Sequence, residues 1–109
     1  MTLIALLLTL LQAPITPTLT KITEDGEQLR ATFAPGAIVA CTIYELQTPE
    51  GYAPKHCWIL DPSETGYDDN WEWIKREQQP WKVYTRVQYP HDAQGQMVFM
   101  LSNVLDIVR

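Results

Sequence analysis

Two cysteines and two histidines are the residues whose types and spacing can form a disulfide, an activated thiol or a metal site. If the segments "AIVACTIYEL" and "KHCWILD" form a hairpin centred on Pro49, Cys41 and Cys57 lie directly opposite each other. A disulfide closing this loop would stabilise the fold by about 3 kcal/mol. The alternative is a pair of small buried thiols, and the number of cysteines does not choose between the two.

The histidines do not complete a thiol or zinc site. His56 is next to Cys57 in sequence, but neighbouring residues of a strand point to opposite faces, so the two do not form a catalytic dyad. Together with His91, the cysteines and histidines are too few and too irregularly spaced for zinc, and no CxxC or HxxxH occurs. The sequence therefore predicts no metal and no cofactor.

Carboxylates are concentrated in "DPSETGYDDN", which its composition predicts to be a solvated loop. Their spacing matches no EF-hand, and nothing identifies a pair of carboxylates held at the fixed separation that glycoside hydrolysis needs. The chain also has no GxSxG, P-loop or dinucleotide-binding pattern. We therefore expect a protein that is not an enzyme.

Aromatic residues near this acidic stretch are candidates for binding. Trp71 and Trp73 lie two residues apart on one predicted strand face, beside a loop that carries Tyr67. Exposed rings of this kind contact proteins or stack on sugar rings. We expect Trp58 and Trp81 to pack in the core instead. Because no basic groove accompanies the rings, nucleic acid is not an expected partner.

The bulk composition bounds the class of protein. A chain of 109 residues with 46% hydrophobic and 19% charged residues indicates one folded domain with its own core. Its net charge is −5 and its eight basic residues are scattered, which argues against nucleic acid or an anionic membrane as the main partner.

Residues 1–16 form an apolar segment, beginning "MTLIALLLTLLQ", that is distinct from the rest of the chain. As a helix it would align Leu3, Leu6, Leu7 and Leu10 on one face, which predicts a retained arm that docks on a protein partner or another copy. The alternative is a signal peptide cleaved after Ala13. The apolar run is shorter than the ~20 residues that cross a bilayer, so we expect no transmembrane anchor.

Residues 17–109 show the period-two alternation of β-strands. The last segment is predicted to be one long strand or two short ones broken near Asn103. The spacing predicts an all-β sandwich of about seven strands. The predicted strand segments are "PTLTKIT", "EQLRATFAP", "AIVACTIYEL", "KHCWILD", "WEWIKRE", "WKVYTRVQY" and "MVFMLSNVLDIVR".

Two segments resemble a fibronectin type III domain over residues 17–109. "EQLRATFAPGAIVACTIYEL" is similar to its second and third strands, with Phe33 where the family usually has tryptophan, and "QQPWKVYTRVQYPHDAQGQ" is similar to its sixth strand and hairpin. Trp81 stands where the family has a tyrosine, which leaves a general immunoglobulin-like sandwich equally open. The resemblance implies an interaction or spacer module that has no catalytic residues.

These observations lead to two expected functions. The first is a non-enzymatic structural or interaction module that contacts proteins, for example a virion-associated decoration, cement or tail protein, located in that assembly with its N-terminal arm retained. The second is a secreted binding module for carbohydrate or a cell surface, with residues 1–13 removed and Cys41 bridged to Cys57.

Overall fold

A computed structural model describes residues 16–48, 50–91 and 94–107 of the chain. It contains a single 3-10 turn at Arg76–Gln78 and otherwise only strands and connections. The strands are β1 (Thr18–Lys21), β2 (Gln28–Thr32), β3 (Val39–Leu46), β4 (Lys55–Ile59), β5 (Gly66–Asn70), β6 (Pro80–Tyr89), β7 (Val98–Leu101) and β8 (Leu105–Asp106).

The strands form two antiparallel sheets. One has three strands in the order β1-β2-β5, and the other has the order β4-β3-β6-β7, with β8 continuing beside β6 beyond β7. Apolar side chains from both sheets meet between them, so the fold is a sandwich. The predicted all-β class is confirmed.

Alternation decides which side chains face the interior. In β6, Val83, Thr85 and Val87 are buried while the residues between them are partly exposed. β3 is buried on both faces, as its continuous apolar run predicts. The larger part of the core comprises Leu19, Leu29, Ala31, Tyr44, Leu46, Trp71, Ile74, Val83 and Ile107.

β5 corrects one prediction, because part of the acidic stretch that was predicted to be a loop is a strand. Its poor β-propensity is offset by specific partners. Arg30 of β2 reaches Asp68 directly across the pair, with Nε 2.8 Å from Oδ1. The first residue of the strand, Gly66, must be glycine, because a Cβ there would lie 2.5 Å from the carbonyl oxygen of Ala31.

The predicted strand "WEWIKRE" is also wrong, because residues 71–78 form turns and the 3-10 turn. The side chain of Asn70 accepts a hydrogen bond from the N–H of Glu72 at 3.3 Å, and the N–H of Ile74 donates to the carbonyl of Trp71 at 2.9 Å. An asparagine that bonds to the backbone two residues ahead favours a turn over an extended strand.

The C-terminal segment is two short strands, β7 and β8, separated at residues 102–104. The side-chain amide of Asn103 crosses from this break to β1 in the opposite sheet. Its Oδ1 accepts from the N–H of Leu19 at 2.8 Å, and its Nδ2 donates to the carbonyl of Leu19 at 2.9 Å. The predicted break near Asn103 is confirmed, and it links the two sheets.

Candidate functional site

The predicted aromatic face does not form as one surface. Trp71 is only 8% exposed, and its indole Nε1 donates to the carbonyl of Gly26 at 2.9 Å. The prediction that Trp71 is exposed is therefore wrong, because the ring fills the core where the chain leaves β5. Trp73 is 47% exposed. The turn at 71–74 directs the two rings to different environments, where a strand would have placed them on one face.

Trp73 instead joins a cluster at one open side of the sandwich, between β4 and β5. Its ring packs edge-on against Tyr44 with centroids 5.3 Å apart, and the centroid of the His56 ring lies 6.1 Å from that of Trp73. His56 stacks on Trp58 with centroids 4.2 Å apart. The cluster thus presents two half-exposed rings, Trp73 and His56, over a buried base.

Asp69 is the polar centre of this cluster. Its Oδ2 accepts a hydrogen bond from the hydroxyl of Tyr44, and its Oδ1 lies 3.1 Å from Nδ1 of His56 and accepts from the N–H of Asn70 at 2.8 Å. Because a carboxylate only accepts, His56 carries its proton on Nδ1 in this arrangement. Burial raises the pKa of Tyr44 far above its usual range, and the hydrogen bond to Asp69 adds to the increase.

Tyr67, the third predicted aromatic site residue, is half-buried beside this cluster. Its hydroxyl lies 2.8 Å from that of Thr42 and 3.1 Å from that of Thr85, and its ring stacks on Trp58 at 4.3 Å. Burial raises the pKa of the Tyr67 hydroxyl. Tyr67 therefore links the two sheets in the interior of the sandwich, and little of its surface is available to a ligand.

The cluster holds a histidine and a carboxylate, but the cysteine next to the histidine is not available to it. Cys57 follows His56 on the opposite face of β4, where it is bonded to Cys41. Within the described ranges, no group of three His, Cys, Asp or Glu side chains could hold a metal ion. What the geometry provides is an aromatic surface with one exposed imidazole.

The disulfide fixes β4 to the centre of its sheet. The register places Cys41 directly opposite Cys57, with Cα atoms 4.0 Å apart, and the structure joins the two sulfur atoms. Cys41 is buried and Cys57 is exposed. Since both cysteines are bonded, no free thiol is present.

Trp58 and Trp81 were both predicted to lie in the core. Trp58 is half-buried and packs against the smaller part of the core, beside Tyr67. Trp81 is exposed, and Nζ of Lys82 lies 4.7 Å from its ring centroid. The prediction for Trp81 is therefore wrong.

A second candidate surface lies on the outside of the five-stranded sheet. Ile59 is 92% exposed, Phe99 is 54% and Leu101 is 55%, and Met97 is similarly exposed. We call these four residues the outer apolar face. Folding leaves large apolar side chains in water here, which is typical of a surface that becomes covered in a complex.

The strand register shows how the outer apolar face is arranged. Ile59, Val39, Gln88 and Phe99 form one row across all four strands, so Ile59 and Phe99 lie at opposite edges of the sheet. Three strand spacings of about 4.8 Å separate these edges by roughly 14 Å. The adjacent row ends in Leu101, next to Arg86, whose guanidinium lies 5.7 Å from the Phe99 ring centroid.

The outside of the three-stranded sheet is polar by contrast. Its outward strand residues are Thr18, Thr20, Gln28, Arg30, Thr32, Gly66, Asp68 and Asn70. The hydrogen bond from Arg30 lowers the pKa of Asp68, as expected for an exposed ion pair. One outside of the sandwich is therefore polar along all its strands, whereas the other also exposes large apolar side chains.

No protein-family model, curated protein or solved structure matches the chain.

The other predicted contact surface, the N-terminal arm with Leu3, Leu6, Leu7 and Leu10, lies outside the described residues. In the part of the chain that the structure describes, no helix combines the length and the apolar composition that membrane crossing requires.

Sequence reasoning missed both the Asp69 cluster and the outer apolar face. Asp69 was assigned to a loop, so its contact with His56 was not foreseen. Phe99 and Leu101 lie in "MVFML", in which all five residues are apolar, so alternation does not reveal which of them face the core. The exposed side chains become visible only when β7 is placed beside β6.

Proposed function

We propose that the chain is a non-enzymatic interaction module that binds a protein partner through the outer apolar face. The observation that carries this proposal is the contrast between the two outsides of the sandwich. Every outward strand residue of the three-stranded sheet is polar or glycine, whereas Ile59, Phe99 and Leu101 stand exposed on the five-stranded sheet. Large apolar side chains on a sheet face that is exposed to water indicate a surface that contacts another molecule.

The arrangement of strands supports the resemblance to immunoglobulin-like and fibronectin type III domains. Strands β1, β2 and β5 form one sheet, while β3, β6 and β7 lie side by side in the other. This grouping corresponds to strands A, B, E and C, F, G of such sandwiches, with β4 paired to β3. We include in the proposal a structural setting such as a virion, in which small sandwiches decorate or cement a shell.

The experiment uses photo-crosslinking in the cells or particles that produce the chain. A benzophenone amino acid replaces Ile59 in one variant and Thr32, on the polar outside, in a matched control. We expect Ile59 to crosslink to one defined protein and Thr32 to crosslink to none. Equal crosslinking from both positions, or none from Ile59, contradicts the proposal.

The Asp69 cluster favours a second candidate function, carbohydrate binding. Trp73 is half-exposed and the neighbouring His56 offers one imidazole nitrogen to a hydroxyl group. Tryptophan fluorescence is recorded across a glycan panel for the wild type and for Trp73→Phe. Quenching that the variant loses supports this function; an unchanged spectrum with every glycan removes it and leaves the outer apolar face as the binding surface.

A further inference from the structure

Among the described strands, β7 forms an unpaired edge of the five-stranded sheet. The N–H of Ser102 donates to the carbonyl of Thr85 at 2.8 Å, which sets the phase of hydrogen bonding between β6 and the segment after β7. In an antiparallel strand, successive residues direct their backbone N–H and C=O groups alternately to the two sides of the strand. The backbone groups of Val98 and Met100 therefore face β6, and those of Phe99 and Leu101 point to the open edge. Among the described residues, no strand lies on the far side of β7.

Three other outermost strands, β1, β4 and β5, carry features that discourage strand addition. β4 carries Lys55, and β5 carries Asp68 and Asp69. The edge of β1 is occupied at Leu19, whose backbone N–H and carbonyl both bond to the amide of Asn103. Charges and covered backbone groups are the usual means by which sheets avoid pairing with other chains.

β7 has none of these protections. Residues 97–105, "MVFMLSNVL", contain no charge and no proline. Phe99 and Leu101 have backbone N–H and C=O groups that point to the open edge, and their apolar side chains are exposed on the outer apolar face. An edge with these properties needs an extended strand with apolar side chains as its partner.

β7 itself meets that requirement. When two copies are related by a twofold axis through Met100, Phe99 of each copy lies opposite Leu101 of the other. The outward N–H and carbonyl groups of these residues then form hydrogen-bonded pairs, and an aromatic ring faces an aliphatic side chain on the outer apolar face. Such a twofold contact is isologous and needs no charge matching.

We propose that two copies of the chain pair antiparallel along β7, centred on Met100, so that their five-stranded sheets become continuous. This inference rests on the proposed function, because it treats the outer apolar face as a contact surface. A second copy of the chain covers the part of that face on β7, at Phe99 and Leu101. The Ile59 side, about 14 Å away across the sheet, remains open to another protein.

Sedimentation of the full chain across a dilution series tests this pairing. We expect a reversible dimer that Phe99→Lys abolishes and that Ile59→Lys, in the same row at the opposite edge, leaves intact. Leu101→Pro removes only an N–H that points to the open edge of β7. It should therefore abolish the dimer and leave the circular dichroism spectrum of the folded chain unchanged. A monomer at all concentrations, or a dimer that survives Phe99→Lys and Leu101→Pro, overturns the proposal.

Oxidative crosslinking tests the register separately. Met100→Cys places two thiols at the twofold axis, whereas Val98→Cys faces residue 102 of the second copy and serves as the control. Because Cys41 and Cys57 are bonded to each other, they do not compete. We expect a crosslinked dimer for Met100→Cys alone, and equal crosslinking of the two variants contradicts the register. Failure of these experiments leaves crosslinking at Ile59 as an independent test of the proposed function.

Discussion

Replacing Tyr44 with phenylalanine removes one hydroxyl from the interior of the sandwich and leaves the ring in place. Tyr44 is fully buried, and its hydroxyl donates to Oδ2 of Asp69. The substitution leaves the carboxylate with the Nδ1 proton of His56 and the N–H of Asn70, both on Oδ1. Oδ2 then loses the hydrogen bond that the structure gives it.

The magnitude follows from the charge of the acceptor. A hydrogen bond to a charged group contributes about 1.5–3 kcal/mol, so Tyr44→Phe should lower the free energy of unfolding by that amount at neutral pH. Tyr67→Phe is the matched control, because its hydroxyl contacts only the neutral hydroxyls of Thr42 and Thr85. We expect it to cost about 1 kcal/mol.

The effect of Tyr44→Phe should shrink at alkaline pH. The pKa of Tyr44 is raised in the folded state, mainly by burial, so unfolding releases its proton once pH passes the ordinary tyrosine value of about 10. The wild type therefore loses stability as pH rises, whereas phenylalanine has no proton to lose. Between pH 10 and pH 11 the gap between the two proteins narrows by about 1 kcal/mol.

Urea denaturation followed by tryptophan fluorescence measures both effects, since Trp73 packs 5.3 Å from Tyr44. The unfolding curves are recorded for the wild type and the two variants at pH 7, 10 and 11. Equal losses for Tyr44→Phe and Tyr67→Phe at pH 7 would refute the charged-acceptor argument. A constant gap between Tyr44→Phe and wild type from pH 10 to pH 11 would refute the assignment of the raised pKa.

Three further outcomes are expected. Asn103→Ala, which removes both hydrogen bonds from this side chain to Leu19, should cost about 1–3 kcal/mol in urea, and no loss contradicts the role of this amide. Reduction of Cys41–Cys57 should lower stability by about 3 kcal/mol without changing the mass of the chain beyond two hydrogens. Asp68→Asn should lower the melting temperature at pH 7 only slightly, because the ion pair with Arg30 is exposed. Because this pairing lowers the pKa of Asp68, the small difference between wild type and variant should disappear as pH falls below about 4, and a difference that persists in acid would disprove the assignment.

The strands that sequence predicted well are those with a clear alternation or a long apolar run. β6 and β3 are of this kind, and the position of Cys41 opposite Cys57 followed from the spacing of the hairpin. β5 was missed because Gly66, Asp68 and Asn70 have poor intrinsic preference for a strand. What makes β5 extended is its partner β2, which provides backbone hydrogen bonds and Arg30.

The candidate surfaces were harder to predict than the fold. Trp71 and Trp73 have the same residue type and similar neighbours in sequence, yet one is in the core and the other is half-exposed. The difference arises from the Asn70 side chain, which turns the chain at the end of β5. The exposure of Phe99 could not be predicted either, because all five residues of its segment "MVFML" are apolar.

Period-two patterning by itself determined that this protein is an all-β sandwich, because alternation is a local property that each strand carries in its own residues. The packing of the sheets decided everything that depends on residues far apart in sequence. It brought Asp69 to Tyr44 and His56, let Asn103 reach Leu19, and left Phe99 and Leu101 in water. These contacts depend on which strand lies beside or across from another, and pairing between distant segments is not encoded in the pattern of any single strand.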